Sequence, residues 1–255
     1  MGAVLEAGHV YILVFVRLAG MIGFNPLLSR RNLPAMVRVG LILLLTLLLA
    51  PNVYAGDAAM GGSLDLVEAI LRELLLGLGL GFVFQIFYYL LFFIGDLMDT
   101  QFGMSMAKVF DPGTSVQMSI SGNLLTIVFC LYIFATDSHL LLIQIFARSF
   151  TVIPAGGFVP TAQAASLMLD LFIAAFSLAM RLAVPFLAAE LILEISMGVL
   201  MKLIPQIHVF VINIQLKMLL GILLLLLFAG PITSFLDNYI RLMFENMEGV
   251  LGLMA

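Results

Sequence analysis

Long stretches of this chain carry no charge at all, and the way they are joined limits what it can fold into. Residues 74–95 are one such run, and residues 112–136 are another. A bilayer core is about 30 Å thick and is crossed by about 20 apolar residues in a helix. Around the join, residues 98–122 read MDTQFGMSMAKVFDPGTSVQMSISG, a loop rich in Met, Gly and Ser with Asp-Pro-Gly at its centre. A flexible, largely uncharged loop hung between bilayer-length helices is not an ordinary solvated connector. Irregular backbone at that depth is tolerated only where protein covers it or where it lines a water-filled cavity. The loop is therefore expected to line, or close, a path through a helical membrane-type assembly.

Composition narrows the class further. The chain is 63% hydrophobic and 10% charged, against roughly a quarter charged in a soluble domain. It has too little polar surface to cover a water-soluble globule. The 11 basic and 15 acidic residues are spread singly, with Arg30, Arg31 and Arg38 the one local basic group. No basic block of the kind that binds nucleic acid occurs. Cys130 lies alone in an apolar run and reads as a small buried hydrophobe. The first thirty residues do not read as a cleaved signal, because they lack a positive start and carry Arg17 in mid-run.

Apolar runs cover 10–28, 39–50, 64–100, 117–135, 140–150, 161–202 and 208–227, and an amphipathic tail with Asp237, Arg241, Glu245 and Glu248 follows. The expected fold is all-α and membrane-type, with six or seven hydrophobic helices in one unit. The run at 39–50 is short for a span unless residues 34–38 extend it. Ser63, Asp65, Glu68 and Glu73 suit a helix start, where acidic groups meet the positive end of the dipole. That helix exceeds a simple span and is expected to tilt or project. Pro185 predicts a kink in the 161–202 helix, and Gly230-Pro231 predicts a bend. Gly77 and Gly81 form a small-xxx-small pair that lets another helix approach. The Arg30/Arg31/Arg38 group favours the cytoplasmic side.

Enzyme constellations are missing. His9, His139 and His208 stand far apart, and no HExxH, GxSxG or phosphate loop occurs. No catalytic, cofactor or metal site is expected. Ionisable groups inside the apolar runs mark a pathway or a pairing. Glu190 and Glu194 share one helix face. Folding the last two long helices into a hairpin about Pro205 brings Glu194 level with Lys217. A Glu194–Lys217 pair shared with Glu190 is expected. It serves either as a proton or ion relay or as a buried pair that fixes hairpin register or meets a neighbouring subunit. Arg17, Arg181 and Asp170 each need a partner from another helix or another chain. Asp96 and Asp99 flank the start of the central loop, and its methionines include Met98, Met104, Met106 and Met118. Flexible thioethers fill irregular gaps, so they suit a seal that yields to a passing polypeptide.

In their order along the chain, several pieces resemble the FliR/SctT family of type III export-gate subunits. They are Pro26-Leu-Leu-Ser-Arg-Arg-Asn-Leu-Pro34, Glu73-Leu-Leu-Leu-Gly-Leu-Gly-Leu-Gly-Phe82, Gln101-Phe-Gly-Met-Ser105 with Phe110-Asp-Pro-Gly113, His139-Leu-Leu-Leu-Ile143, Ser149-Phe150 with Pro154-Ala-Gly156, and Leu203-Ile-Pro-Gln-Ile207. The resemblance implies a FliP-like helical part over 1–160 and a FliQ-like helical hairpin with a C-terminal tail over 161–255, with no separable soluble domain. It also implies a plug loop at about 107–122, carried by Met106, Lys108, Val109, Phe110, Asp111, Pro112, Gly113 and Met118. The implied partners are FliP and FliQ homologues, a FlhB homologue, unfolded export substrates and membrane lipid. The implied place is the bacterial inner membrane at the flagellar basal body, and the injectisome gate is the alternative setting. A small secondary transporter is the competing class, but the two matching halves common in transporters are not seen.

Overall fold

The computed structural model describes residues 2–28, 34–53, 63–104, 119–159, 162–204 and 209–253. Every regular element among them is helical: α1 (Gly2–Gly23), α2 (Ala35–Leu49), α3 (Ser63–Gln101), α4 (Ile120–Ala135), α5 (Ser138–Val152), α6 (Ala162–Leu203), α7 (Val209–Leu227) and α8 (Ala229–Leu253). The fold is all-α and membrane-type. Three helices are long and apolar enough to cross a membrane, or five if each of two bent helix pairs is one span.

The helix ends follow local chemistry. α1 stops where Asn25 and Pro26 build a turn, in which the Leu27 N–H donates to the Asn25 side chain at 2.9 Å. α2 starts directly after Pro34, so residues 35–38 do extend the short apolar run. It ends in the 3-10 turn Ala50–Asn52, where Pro51 stops the ladder. α3 is 39 residues long, about 58 Å at 1.5 Å per residue. Gly103 follows it with φ +72°, a left-handed conformation that glycine adopts without strain. α6 runs unbroken through Pro185. The expected bend at Gly230-Pro231 falls earlier. The helix assignment lapses at Phe228, and Pro231 sits in the first turn of α8. Proline is tolerated there because first-turn N–H groups have no intrahelical acceptor.

The chain divides into two compact units that interleave along the sequence: Met1–Phe87 with Ile133–Ile173 and Arg241–Ala255, and Tyr88–Tyr132 with Ala174–Ile240. In the first unit, α1 crosses α3 with backbones in contact. A Cβ on Gly77 would lie 2.3 Å from the Arg17 carbonyl oxygen, one on Gly81 2.9 Å from that of Met21, and one on Gly20 2.9 Å from the Leu78 nitrogen. Around this crossing, Leu13, Ala69 and Ala155 form one buried cluster, and Leu76, Ile153 and Phe158 form another. The second unit is held by ring contacts. Phe129 meets Tyr88 and Tyr239, and Phe186 meets Phe102 and Phe228.

Much apolar surface stays uncovered. Met36, Leu43, Leu44, Leu47 and Leu48 of α2 are exposed, as are Leu191, Ile192, Ile195 and Val199 of α6 and Leu219, Leu226 and Leu227 of α7. Patches of this size mark lipid or partner chains.

Candidate functional site: two carboxylate anchors and a hairpin charge group

The first anchor lies where α1 crosses α3. With no side chain at Gly77, the Arg17 backbone rests on α3, and Glu73 stands one turn earlier on that helix. Arg17 Nε and Nη2 both donate to the Glu73 carboxylate, Nη2 at 2.8 Å. Arg17 Nη1 donates to the carbonyls of Ser149 at 2.8 Å and Ile153 at 3.0 Å, and Nη2 reaches that of Pro154 at 3.4 Å. All five N–H donors of the guanidinium are thereby engaged. The Gly156 N–H donates to Glu73 Oε1 at 2.7 Å, with Gly156 at φ +83°. The guanidinium carbon sits 4.3 Å from the Phe150 ring centre. Both charged side chains are fully buried.

Arg17 was expected to need a partner, and Glu73 was expected to serve the helix dipole. Glu73 instead lies in the third turn of α3, beyond the reach of the terminal dipole, and neutralises Arg17. The available signal was a lone acid and a lone base, each inside an otherwise apolar run.

The second anchor closes the base of the central loop. Asp99, near the end of α3, is buried. It accepts from Ser119 Oγ at 2.7 Å, the Ile120 N–H at 2.6 Å and the Ser121 N–H at 3.2 Å. Ser119 Oγ in turn accepts the Gly122 N–H at 2.8 Å, an N-cap bond at the start of α4. One carboxylate thus satisfies first-turn donors of α4 from the neighbouring helix. The two helices touch through glycine here, since a Cβ on Gly95 would lie 2.3 Å from the Gly122 Cα. Phe102, just past α3, packs on Gly221 of α7, where a Cβ would come within 2.5 Å of its ring. The expected plug residues Met106, Lys108, Val109, Phe110, Asp111, Pro112, Gly113 and Met118 lie outside the described residues.

The third group sits on the α6–α7 hairpin. Lys217 Nζ lies 3.7 Å from Glu194 Oε1. This pair is not buried in the chain: the Glu194 side chain is 60% exposed and that of Lys217 14%. Glu190 is 1% exposed, and among the described residues neither of its oxygens has a hydrogen-bond partner. It feels both neighbouring charges without touching Lys217. Arg181 and Asp170 are exposed on α6.

Residues 9–243 match the family described as bacterial export proteins, family 1. This chain belongs to that family. The flagellar biosynthetic protein FliR of Escherichia coli strain K12 is 26% identical over 96% of this chain and 93% of its own length. FliR of Caulobacter vibrioides is 29% identical over 95% and 98%. The Yop proteins translocation protein T of Yersinia pestis is 28% identical over 93% and 92%. The family indicated by the ordered motifs is the one found. Membership makes the chain a membrane-type component of the type III protein export apparatus.

Proposed function

We propose that this chain is a structural subunit of the flagellar type III export gate. It assembles with FliP and FliQ homologues, and with a FlhB homologue, around the portal through which unfolded flagellar proteins leave the cytoplasm. Residues 1–160 form its FliP-like part and residues 161–255 its FliQ-like hairpin. The assembly sits in the bacterial inner membrane at the basal body. Residues 107–122 help close the conduit, and the seal is weak packing of Met, Phe and Gly backbone. A few kcal/mol keeps an open minor state rare.

The observation that carries this reading is the Asp99 clamp. A carboxylate buried beside apolar helices costs several kcal/mol unless it is well bonded. Here it holds the start of α4 against the end of α3. That investment suits a loop whose ends must stay fixed while its middle gives way.

The test is removal of residues 110–118 from the chain within the assembled complex. The expected result is leakage of ions or a small dye across the membrane with assembly intact. Unchanged tightness with intact assembly would refute the gating role. Loss of flagella on deleting the gene, with secretion of virulence effectors unaffected, separates the flagellar from the injectisome setting.

A further inference from the structure

The exposed side of α6 raises a question that the hairpin charges do not answer. Arg181, Val184, Ala188, Leu191, Ile195 and Val199 are all exposed, and their spacing of three and four residues lines them up on one face. Arg181 stands near the midpoint of this helix. It makes no hydrogen bond or ion pair among the described residues. Pro185 lies four residues on, inside the helix, and has no N–H for the i+4 bond to the Arg181 carbonyl. The guanidinium therefore sits on an apolar surface, beside a helix turn that lacks one of its regular hydrogen bonds.

We propose that this face of α6 seats an apolar helix of a partner subunit, which brings a carboxylate to Arg181. The charge balance of the face selects that chemistry. On the same helix, Glu190 and Glu194 are about 180° and 140° around it from Arg181 at 3.6 residues per turn, and Asp170, which shares its side, stands 11 residues away, roughly 16 Å along the axis and out of pairing reach. From Arg181 to Val199 the stripe thus holds a cation and no anion. A second copy of this chain does not supply one, because copies inserted in the same sense place Arg181 beside Arg181. Lipid phosphate fits poorly. Exposed apolar side chains continue on both sides of Arg181, from Phe172 and Ile173 to Leu191 and Ile192. An arginine at headgroup level has a polar side to turn to. A guanidinium at apolar depth is paired by default, and planar bidentate recognition makes a carboxylate its best partner.

The identity of that partner rests on the export-gate reading above, whereas the chemistry of the face does not. The experiment places a photo-crosslinking amino acid at Val184, Ala188 or Leu191 in the full chain, in membranes that carry the complete export apparatus. The expected adduct is a partner subunit peptide with an Asp or Glu at the level of Arg181. In parallel, Arg181→Glu lowers recovery of that subunit about tenfold, as loss of a paired interface charge does. Arg181→Lys lowers it less, and reversing the partner's acid to Arg restores it in the Arg181→Glu background. Adducts only with lipid, or only with a second copy of this chain, overturn the inference. So does Arg181→Glu with undiminished recovery. If the subunits co-purify while the crosslinks reach lipid alone, this inference fails and the gate reading stands. If no other hydrophobic subunit co-purifies, the gate reading falls first. The crosslinks use chains with Arg181 intact, so a variant that does not fold leaves the test open to decision.

Discussion

Arg17 and Glu73, 56 positions apart in sequence, meet side by side in a bidentate pair that no water reaches. The pair also holds the segment from Ser149 to Gly156, through three carbonyls and one N–H. Buried pairs are often no more stabilising than apolar residues of the same shape, but losing one member strands the other.

Glu73→Gln is therefore expected to cost about 3–5 kcal/mol. Arg17→Met is expected to cost at least as much, since it strands the buried Glu73 carboxylate and takes one donor each from the carbonyls of Ser149, Ile153 and Pro154. The double variant should fall short of the sum of the two. Thermal unfolding of the detergent-solubilised complex, read for all three variants, checks the coupling.

The glycines of α3 make a contrasting prediction. Gly77→Ala forces a methyl group onto the Arg17 carbonyl and should cost about 1–3 kcal/mol through overpacking. Gly198 of α6 has nothing within 4 Å of a Cβ, so Gly198→Ala should stabilise by about 0.5–1 kcal/mol through lower chain entropy. Opposite shifts in melting temperature are the expected outcome, and shifts of the same sign would show that the crossing is looser than described.

Asp99→Asn keeps the shape of the clamp and removes its charge. Hydrogen bonds to a charged acceptor are worth about 1.5–3 kcal/mol each, and the asparagine amide turns a donor towards N–H groups that are themselves donors. Amide hydrogen exchange at residues 120–122 should speed up by at least about tenfold. Exchange along α2 should not change.

Glu190→Met should leave stability unchanged or raise it by about 1 kcal/mol in the isolated chain, because neither carboxylate oxygen is satisfied there. The same substitution in the assembled complex tests whether another subunit supplies the missing donor. Destabilisation in the complex alone would mean that it does.

Helix positions were legible because apolar runs, Pro34, Pro51, Gly103 and the turn at Asn25-Pro26 act locally. The crossing at Gly77 and Gly81 was legible as a surface that admits a helix, although nothing in the spacing named α1 as that helix or Gly20 as the facing glycine. Proximity of Glu194 and Lys217 followed from folding a hairpin at Pro205. Its exposure did not follow, since burial depends on which elements cover α6. Glu73 was misread because an acid near a helix start serves the dipole in most sequences, and only the third dimension brings Arg17 to it. The same holds for Asp99, whose role depends on the first turn of a helix that begins 21 residues later. The bend read from Gly230-Pro231 is present, but it is centred on Phe228, because Pro231 is accommodated in the first turn of α8 and the break falls just before it.

The Asp99 clamp has a consequence for how this part of the protein varies. Both margins of the segment from 105 to 118 are secured independently of its contents: α3 and α4 are seated on each other through Gly95 and Gly122, and the α4 terminus is already satisfied. Each of these bonds is made by residues outside that stretch, so a change in its length or residue types takes away none of the frame's own partners.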